Sequence, residues 1–424
     1  MDLSKLREQF PALQQRNSQG LPLVYFDGPG GTQVPQRVID AMTNYLVSMN
    51  ANTGGQFLTS QKTDEIIRAA RVAMADFLNA PSPEQIIFGA NMTTLTFLLS
   101  RSFAKILLPG DEIIVTRLDH DANISPWLAL QENGVIIRWL DFRTDDCTLD
   151  LAMLEKLLSR RTKLLAVGYA SNAVGTINDV KRLAKMAHDA GALIFVDAVH
   201  YAPHGPIDVQ DIDCDFLVCS AYKFFGPHLG VLYGKKDLLE KLPPYKVRPQ
   251  ETSAPDKFET GTLNHEGLAG TAAAIEYLAS IGKSYGHHLQ ETFGQFHDRR
   301  RDLKLAMQAI QIYERQLSQY LVAGLKTIPG LKIYGITEEK SFAHRTPTFA
   351  IRLADLPPKE VARRLGERGI FVWDGNFFAV EVTTRLGVEE NGGVVRIGLI
   401  HYNTMEEIDR LIAALREIAN LFNS

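Results

Sequence analysis

The run Cys219-Ser220-Ala221-Tyr222-Lys223-Phe224-Phe225-Gly226 closes an apolar segment, Phe216-Leu217-Val218-Cys219, and opens onto Gly226-Pro227 and a second apolar stretch. The apolar segment reads as a short buried strand and Gly-Pro as a turn, which sets Lys223 at a strand end facing a loop. Such a place suits a nucleophilic amine. The amine must lose its proton near neutral pH, and partial burial against Tyr222 and Phe224 disfavours the ammonium form. A solvated lysine capping a strand gives the same local pattern. Reading Lys223 as a Schiff-base lysine therefore needs support from elsewhere in the chain.

That support begins at Leu193-Ile194-Phe195-Val196-Asp197-Ala198-Val199-His200, a strand-like run that ends in a carboxylate. A carboxylate at the edge of a buried strand is costly unless it faces a cation or a donor. Four ordered segments then combine: Val196 to His200, Asp213-Cys214-Asp215-Phe216, Ser220 to Lys223 with Gly226-Pro227, and Gly230-Val231-Leu232-Tyr233. Together they resemble the class V aminotransferase and cysteine desulfurase superfamily of fold type I enzymes, which depend on pyridoxal 5′-phosphate (PLP). The resemblance implies PLP as cofactor, with Lys223 as its Schiff-base partner and Asp197 facing the protonated pyridine nitrogen, whose charge makes the ring an electron sink.

It also implies an α/β fold: a large domain around a mostly parallel, seven-stranded-type sheet, plus a smaller α+β domain. The alternation of apolar strands and helices points the same way, with sites at the C-terminal ends of the strands. The expected division is a segment 1–25 packing with the small domain, a PLP-binding domain at 26–287, and a connector helix with the small domain at 288–424. Expected helices include Leu3 to Leu13, Gln36 to Met49, Val180 to Ala190, a long connector from His288 to Leu325, Pro358 to Arg368 and Thr404 to Leu421.

With 424 residues the chain exceeds the size at which single cores stop growing, in keeping with two domains. Forty-five Lys and Arg against 49 Asp and Glu give a net charge of −4, which argues against a nucleic-acid or membrane-surface protein. The amino terminus lacks an apolar signal core, and no stretch approaches a membrane span. Cys147, Cys214 and Cys219 lack the spacing of a disulfide framework or a metal cage, so a reducing cytoplasm is the expected compartment.

The remaining site residues follow from the resemblance, each beside a plainer role. Gly28-Pro29-Gly30-Gly31-Thr32 is similar to the family's N-terminal active-site loop, with Gly31 toward substrate, although a simple turn would look the same. It lacks the Gly-x-Gly-x-x-Gly pattern of a dinucleotide site. Asn91, Met92 and Thr93 open a helix whose free N–H groups suit a phosphate, or merely form its cap. Met92 stands where the family has the first of two threonines. His120 takes the position of the imidazole that stacks on the cofactor ring. Asn172 takes that of an amide donating to the phenolic oxygen and meeting substrate, with an Asx turn as the plainer alternative. His200 would sit beside the phenolic oxygen, Ser220 would bind phosphate, and Tyr222 replaces a usual histidine. Thr262, in Phe258 to Asn264, would reach the partner's phosphate in a homodimer. Arg396 would grip the substrate carboxylate in two places. His200 and His204 have helical metal-pair spacing, but Pro203 forbids that helix, so no metal is expected.

Within this resemblance, the freed Lys223 amine removes the Cα proton of an amino-acid substrate. A cysteine desulfurase then needs a mobile-loop cysteine whose thiolate attacks the substrate sulfur. Aligning Gly369 to Phe378 with that loop puts Phe378 at the cysteine and Trp373 at a usual arginine, and no cysteine follows Cys219. The expected reaction is therefore β-elimination across the Cβ–S bond. Epimerisation, transamination, desulfuration by a non-standard thiol and a non-catalytic PLP-fold binding role are the alternatives. Trp373, Phe377 and Phe378 suggest a bulky apolar substrate portion, or small-domain core.

Overall fold

The computed structural model describes residues 3–423. Its central sheet comprises β1 (Ile86–Gly89), β2 (Glu112–Thr116), β3 (Ile136–Leu140), β4 (Thr162–Gly168), β5 (Leu193–Asp197), β6 (Phe216–Ser220) and β7 (Gly230–Gly234). They lie side by side in the order β1-β7-β6-β5-β4-β2-β3. Strand β7 runs antiparallel to both β1 and β6, and the other four pairings are parallel. Parallel neighbours need crossovers, and these cover both faces of the sheet. Successive side chains therefore enter opposite cores. Leu165, Val167, Ile194, Val196, Leu217 and Cys219 join one apolar cluster, whereas Leu164, Ala166, Phe195, Phe216 and Val218 join another. This two-sided burial is why the strands read as continuous apolar runs.

The expected helix from Leu3 to Leu13 is a correction. It ends at Arg7, and Pro11 instead starts a short 3-10 turn, Pro11–Gln14, because its ring cannot continue an α-helix. The connector helix also starts later than expected, at Asp298, and runs to Leu325. The stretch His287–Phe293 before it is 3-10, bounded by Gly286 and Gly294. Two 21-residue helices, Leu58–Leu78 and His265–Tyr285, escaped the sequence reading.

The smaller sheet orders Trp373–Gly375, Val394–Gly398, Thr348–Leu353 and Leu331–Tyr334, all antiparallel. Its own core includes Leu317, Leu321, Phe349, Ile351, Leu365, Ile397 and Leu415. A separate two-stranded ribbon pairs Val24–Tyr25 with Ile370–Phe371 in parallel. Phe26 N donates to Phe371 O at 2.9 Å, and Gly398 N donates to Phe26 O at 2.8 Å. The glycine loop 28–31 follows directly and is carried over the C-terminal ends of the large sheet's strands.

Candidate active site

A cavity of about 280 Å³ lies where the C-terminal ends of β2, β4, β5 and β6 meet the smaller sheet. Asp197 ends β5, Lys223 closes the 3-10 turn that follows β6, and His120 and Asn172 lie in the loops after β2 and β4. Met92 and Thr93, the first residues of the helix Met92–Ala104, supply one wall. Arg396 enters from the smaller sheet, and Trp373, Phe377 and Phe378 form the mouth. A larger open groove of about 1030 Å³ near Asp76 and Arg299 is a surface recess spanned by their ion pair, far from this convergence of ionisable groups.

Burial and charge tune these groups in opposite directions. Burial, reinforced by the Arg396 charge, lowers the Lys223 ammonium from 10.5 to about 7, while Asp197 and Asp27 oppose the shift. A neutral amine is thus accessible near neutral pH, and Lys223 Nζ donates to Pro29 O. Burial raises Asp197 to about 6, against a 2.9 Å hydrogen bond from Val199 N and the charge of Lys223. Burial, then Lys223, pull His120 down to about 4, so its imidazole is neutral. His200 is likewise held well below the usual histidine value by burial, and its Nε2 pairs with Thr346 Oγ1 at 3.1 Å.

Arg396 is 5% exposed, donates from Nη1 to Asn172 O at 3.1 Å, and has a buried Nε without a protein partner. An unpaired buried donor on a cation is costly, which marks a place for an acceptor. Asn172 Oδ1 is also buried and unpartnered, while its Nδ2 donates to Phe377 O at 3.0 Å.

Met92, Thr93, His120, Asn172, Asp197, His200, Tyr222, Lys223 and Arg396, all singled out in the sequence, line this one cavity. Asn91 instead caps the helix, accepting from Thr94 N at 2.8 Å. Ser220 is buried at the end of β6, and Gly31 is not among the residues lining the cavity; a Cβ on it would lie 3.2 Å from the Tyr222 ring. Thr262 is exposed in a different groove, near Asp64, Pro249 and His265, and does not reach this chain's cavity. One face of His120 carries the Phe378 ring, 5.5 Å away between centroids. Tyr222 stacks on His228 at 4.8 Å, and the Lys223 amine lies 4.7 Å from the centroid of the Tyr222 ring. His204 pairs with Glu314 at 2.8 Å, and no cluster of three His, Cys, Asp or Glu side chains suited to a metal occurs among the described residues.

Sequence reading missed two carboxylates. Asp119 lines the cavity, is pushed by burial to about 7, and accepts hydrogen bonds from Gly168 N, Thr116 Oγ1 and Asn123 Nδ2. Asp27 precedes the glycine loop with a buried, unpartnered Oδ1, and burial raises it to about 6. The available signal was position, since Asp119 adjoins His120 and Asp27 ends a short apolar run.

Residues 24–298 and 302–411 match the aminotransferase class-V family. The chain belongs to that family. It is 35% identical to a cysteine desulfurase of Pectobacterium atrosepticum over all of this chain and 99% of that protein. It is 32% identical to a probable cysteine desulfurase of Streptomyces coelicolor over all of this chain and 98% of the other. Among solved structures, an Escherichia coli cysteine desulfurase superposes with a TM-score of 0.83 at 29% identity, covering 99% of both chains. The apo cysteine desulfurase of Thermococcus onnurineus gives 0.86 at 27% identity, covering 98% of both.

Class V aminotransferases are PLP enzymes, and the cavity of this family member fits that cofactor. It brings together a lysine with a depressed pKa, a buried strand-end carboxylate, a neutral imidazole and a helix N-terminus. No helix among the described residues is long and apolar enough to cross a membrane.

Proposed function

We propose that this class V enzyme is a carbon–sulfur lyase that eliminates sulfur from Cβ of cysteine, cystine or a cysteine thioether, releasing hydrogen sulfide, a persulfide or a thiol respectively, with pyruvate and ammonia. The observation that carries the reading is a cavity holding Lys223, Asp197 and Arg396 and lined by no thiol among the described residues. Bound there, PLP supplies an electron sink for the charge that develops at Cα. Lys223 and Asp197 would hold its aldehyde and ring nitrogen, His120 and His200 its ring, and Met92, Thr93, Ser220 and Tyr222 its phosphate side. Lys223 Nζ, poised near pH 7, takes the Cα proton. The fork of Arg396 grips the substrate carboxylate and thereby fixes which Cα bond is activated.

The relatives are named cysteine desulfurases, and a persulfide route requires an accessible thiolate. Here Cys147, Cys214 and Cys219 are fully buried. Burial raises Cys147 to about 12 and the other two higher still. On the same reading the protein acts as a homodimer, with Thr262 reaching the partner's phosphate.

The test is to incubate PLP-loaded protein with cysteine, cystine and S-methylcysteine and to identify the products. Pyruvate with ammonia is expected. Alanine with protein-bound persulfide would overturn the lyase reading in favour of desulfuration, and racemised substrate or a keto acid retaining its sulfur would overturn it in favour of epimerisation or transamination.

A further inference from the structure

The mouth of the cavity is unlike its walls. Trp373 is 52% exposed and Phe378 70% exposed, so two large aromatic rings stand in water at the entrance to a polar site. Small-domain core is therefore excluded as their role, although Phe377 does pack partly against the large-domain core. The same three aromatics line an outer groove of about 380 Å³ with Asp374, Asn376 and Glu389, so the cavity continues outward past them.

The platform is built at a conformational cost. Phe377 and Phe378 have φ of 57° and 58°, two consecutive non-glycine residues in the left-handed region. Such strain persists only where surrounding contacts impose it, and it gathers at ligand clamps. Four hydrogen bonds impose it here. Asn172 Nδ2 donates to Phe377 O at 3.0 Å, and Asp121 N donates to Phe378 O at 2.7 Å. Phe378 N donates to Asn376 Oδ1 at 3.1 Å, and Asn376 Nδ2 donates to Glu389 Oε1 at 2.9 Å. The Phe377 ring lies 4.0 Å from the Arg396 guanidinium, and Trp373 is the direct cross-strand partner of Arg396. A Cβ on Gly30 would lie 2.5 Å from Trp373 Nε1, so the indole sits where only glycine leaves room.

Resting on the lyase reading, we propose that the Trp373–Phe377–Phe378 mouth is a subsite for the sulfur substituent, and that the substrates are cysteine thioethers carrying an uncharged aryl or arylalkyl group. A carboxylate held by Arg396 leaves the amino acid's side chain beside residues on the same sheet face, and the exposed aromatic surface gains by covering an apolar group. Asp374 and Glu389 in the outer groove disfavour an anionic one. The reaction balances without an oxidant: the thioether and water give the free thiol, pyruvate and ammonium. The Cα proton leaves to Lys223, and the Cβ–S electron pair departs with sulfur.

The test compares S-benzyl-L-cysteine with S-methyl-L-cysteine on PLP-loaded protein, with Phe378→Ala and Trp373→Ala variants to cancel differences between the two leaving groups. The wild type is expected to favour the benzyl substrate in kcat/KM by on the order of tenfold or more, and each variant to lose most of that preference. Equal preference in wild type and variants would overturn the proposal. Binding is measured separately by calorimetry with the α-methyl analogues, which have no Cα proton to lose. Tighter binding of the benzyl analogue upholds the subsite even if no thioether is cleaved, in which case the lyase reading alone falls. Equal binding of the two analogues overturns the subsite, whatever the products. If a variant fails to fold, the wild-type binding comparison still decides.

Discussion

The back wall and the mouth of the cavity are built on opposite terms. The wall consists of side chains on buried strands, Asp197 at the end of one in the large sheet and Arg396 in the middle of one in the smaller sheet; both are under a tenth exposed and burial shifts both groups toward neutrality. The mouth is a short, strained loop presenting rings to water. The difference separates two tasks. Proton transfer and charge recognition need a low-dielectric setting that the large sheet imposes, whereas selection among substrates can reside on a loop outside the core.

The sharpest break in that contrast is Lys223→Ala. It is expected to abolish the borohydride-sensitive yellow absorbance of the holoenzyme and to lower kcat by about 10³-fold or more, measured by pyruvate release. A variant that kept its turnover would remove the wall from the chemistry. Next comes Arg396→Leu, which deletes a buried charged donor pair. A kcat/KM loss of roughly 10- to 100-fold, mostly in KM, is expected in steady-state assays. Phe378→Ala should do something different in kind, moving thioether selectivity by about tenfold while shifting the melting temperature little, because the ring is exposed. A large loss of stability would make the mouth structural after all.

The smallest effect concerns pH in the cofactor-free protein. Lys223 has a folded value of about 7 against 10.5, so between those values the unfolded chain binds a proton that the folded chain does not, and stability rises with pH. Asp197 has a folded value of about 6 against 3.8, so its contribution is present below the lower value and is lost as pH rises toward 6. The site's own contribution therefore has a minimum between about 6 and 7. The denaturation profile of Lys223→Met should lack the upper rise and keep the lower fall, and its difference from the wild type should return the rise alone.

The large sheet was legible because both its faces are covered, which writes each strand as an unbroken apolar run such as Leu164 to Val167. Lys223 and Asp197 stood out as candidates because charged residues at the ends of such runs are costly unless used. Helix His265–Tyr285 was not, since Gly267, Gly270 and Ala272 to Ala274 give it neither a polar face nor a clear period, and it is buried on most sides. Asp27 and Asp119 matter through what encloses them, which no local pattern reports. Nothing in Asn376-Phe377-Phe378 signals a left-handed pair, because the usual marker of that conformation is glycine or asparagine at the turning residue, and here tertiary hydrogen bonds supply it.

The ribbon that joins Val24–Tyr25 to Ile370–Phe371 ties two distant parts of the chain into a single lever. On one arm it carries the aromatic mouth, and on the other Pro29, whose carbonyl accepts a hydrogen bond from Lys223 Nζ. The backbone that presents the rings and the backbone that clasps the Lys223 amine are thus hydrogen-bonded into one piece, so neither can be repositioned without the other.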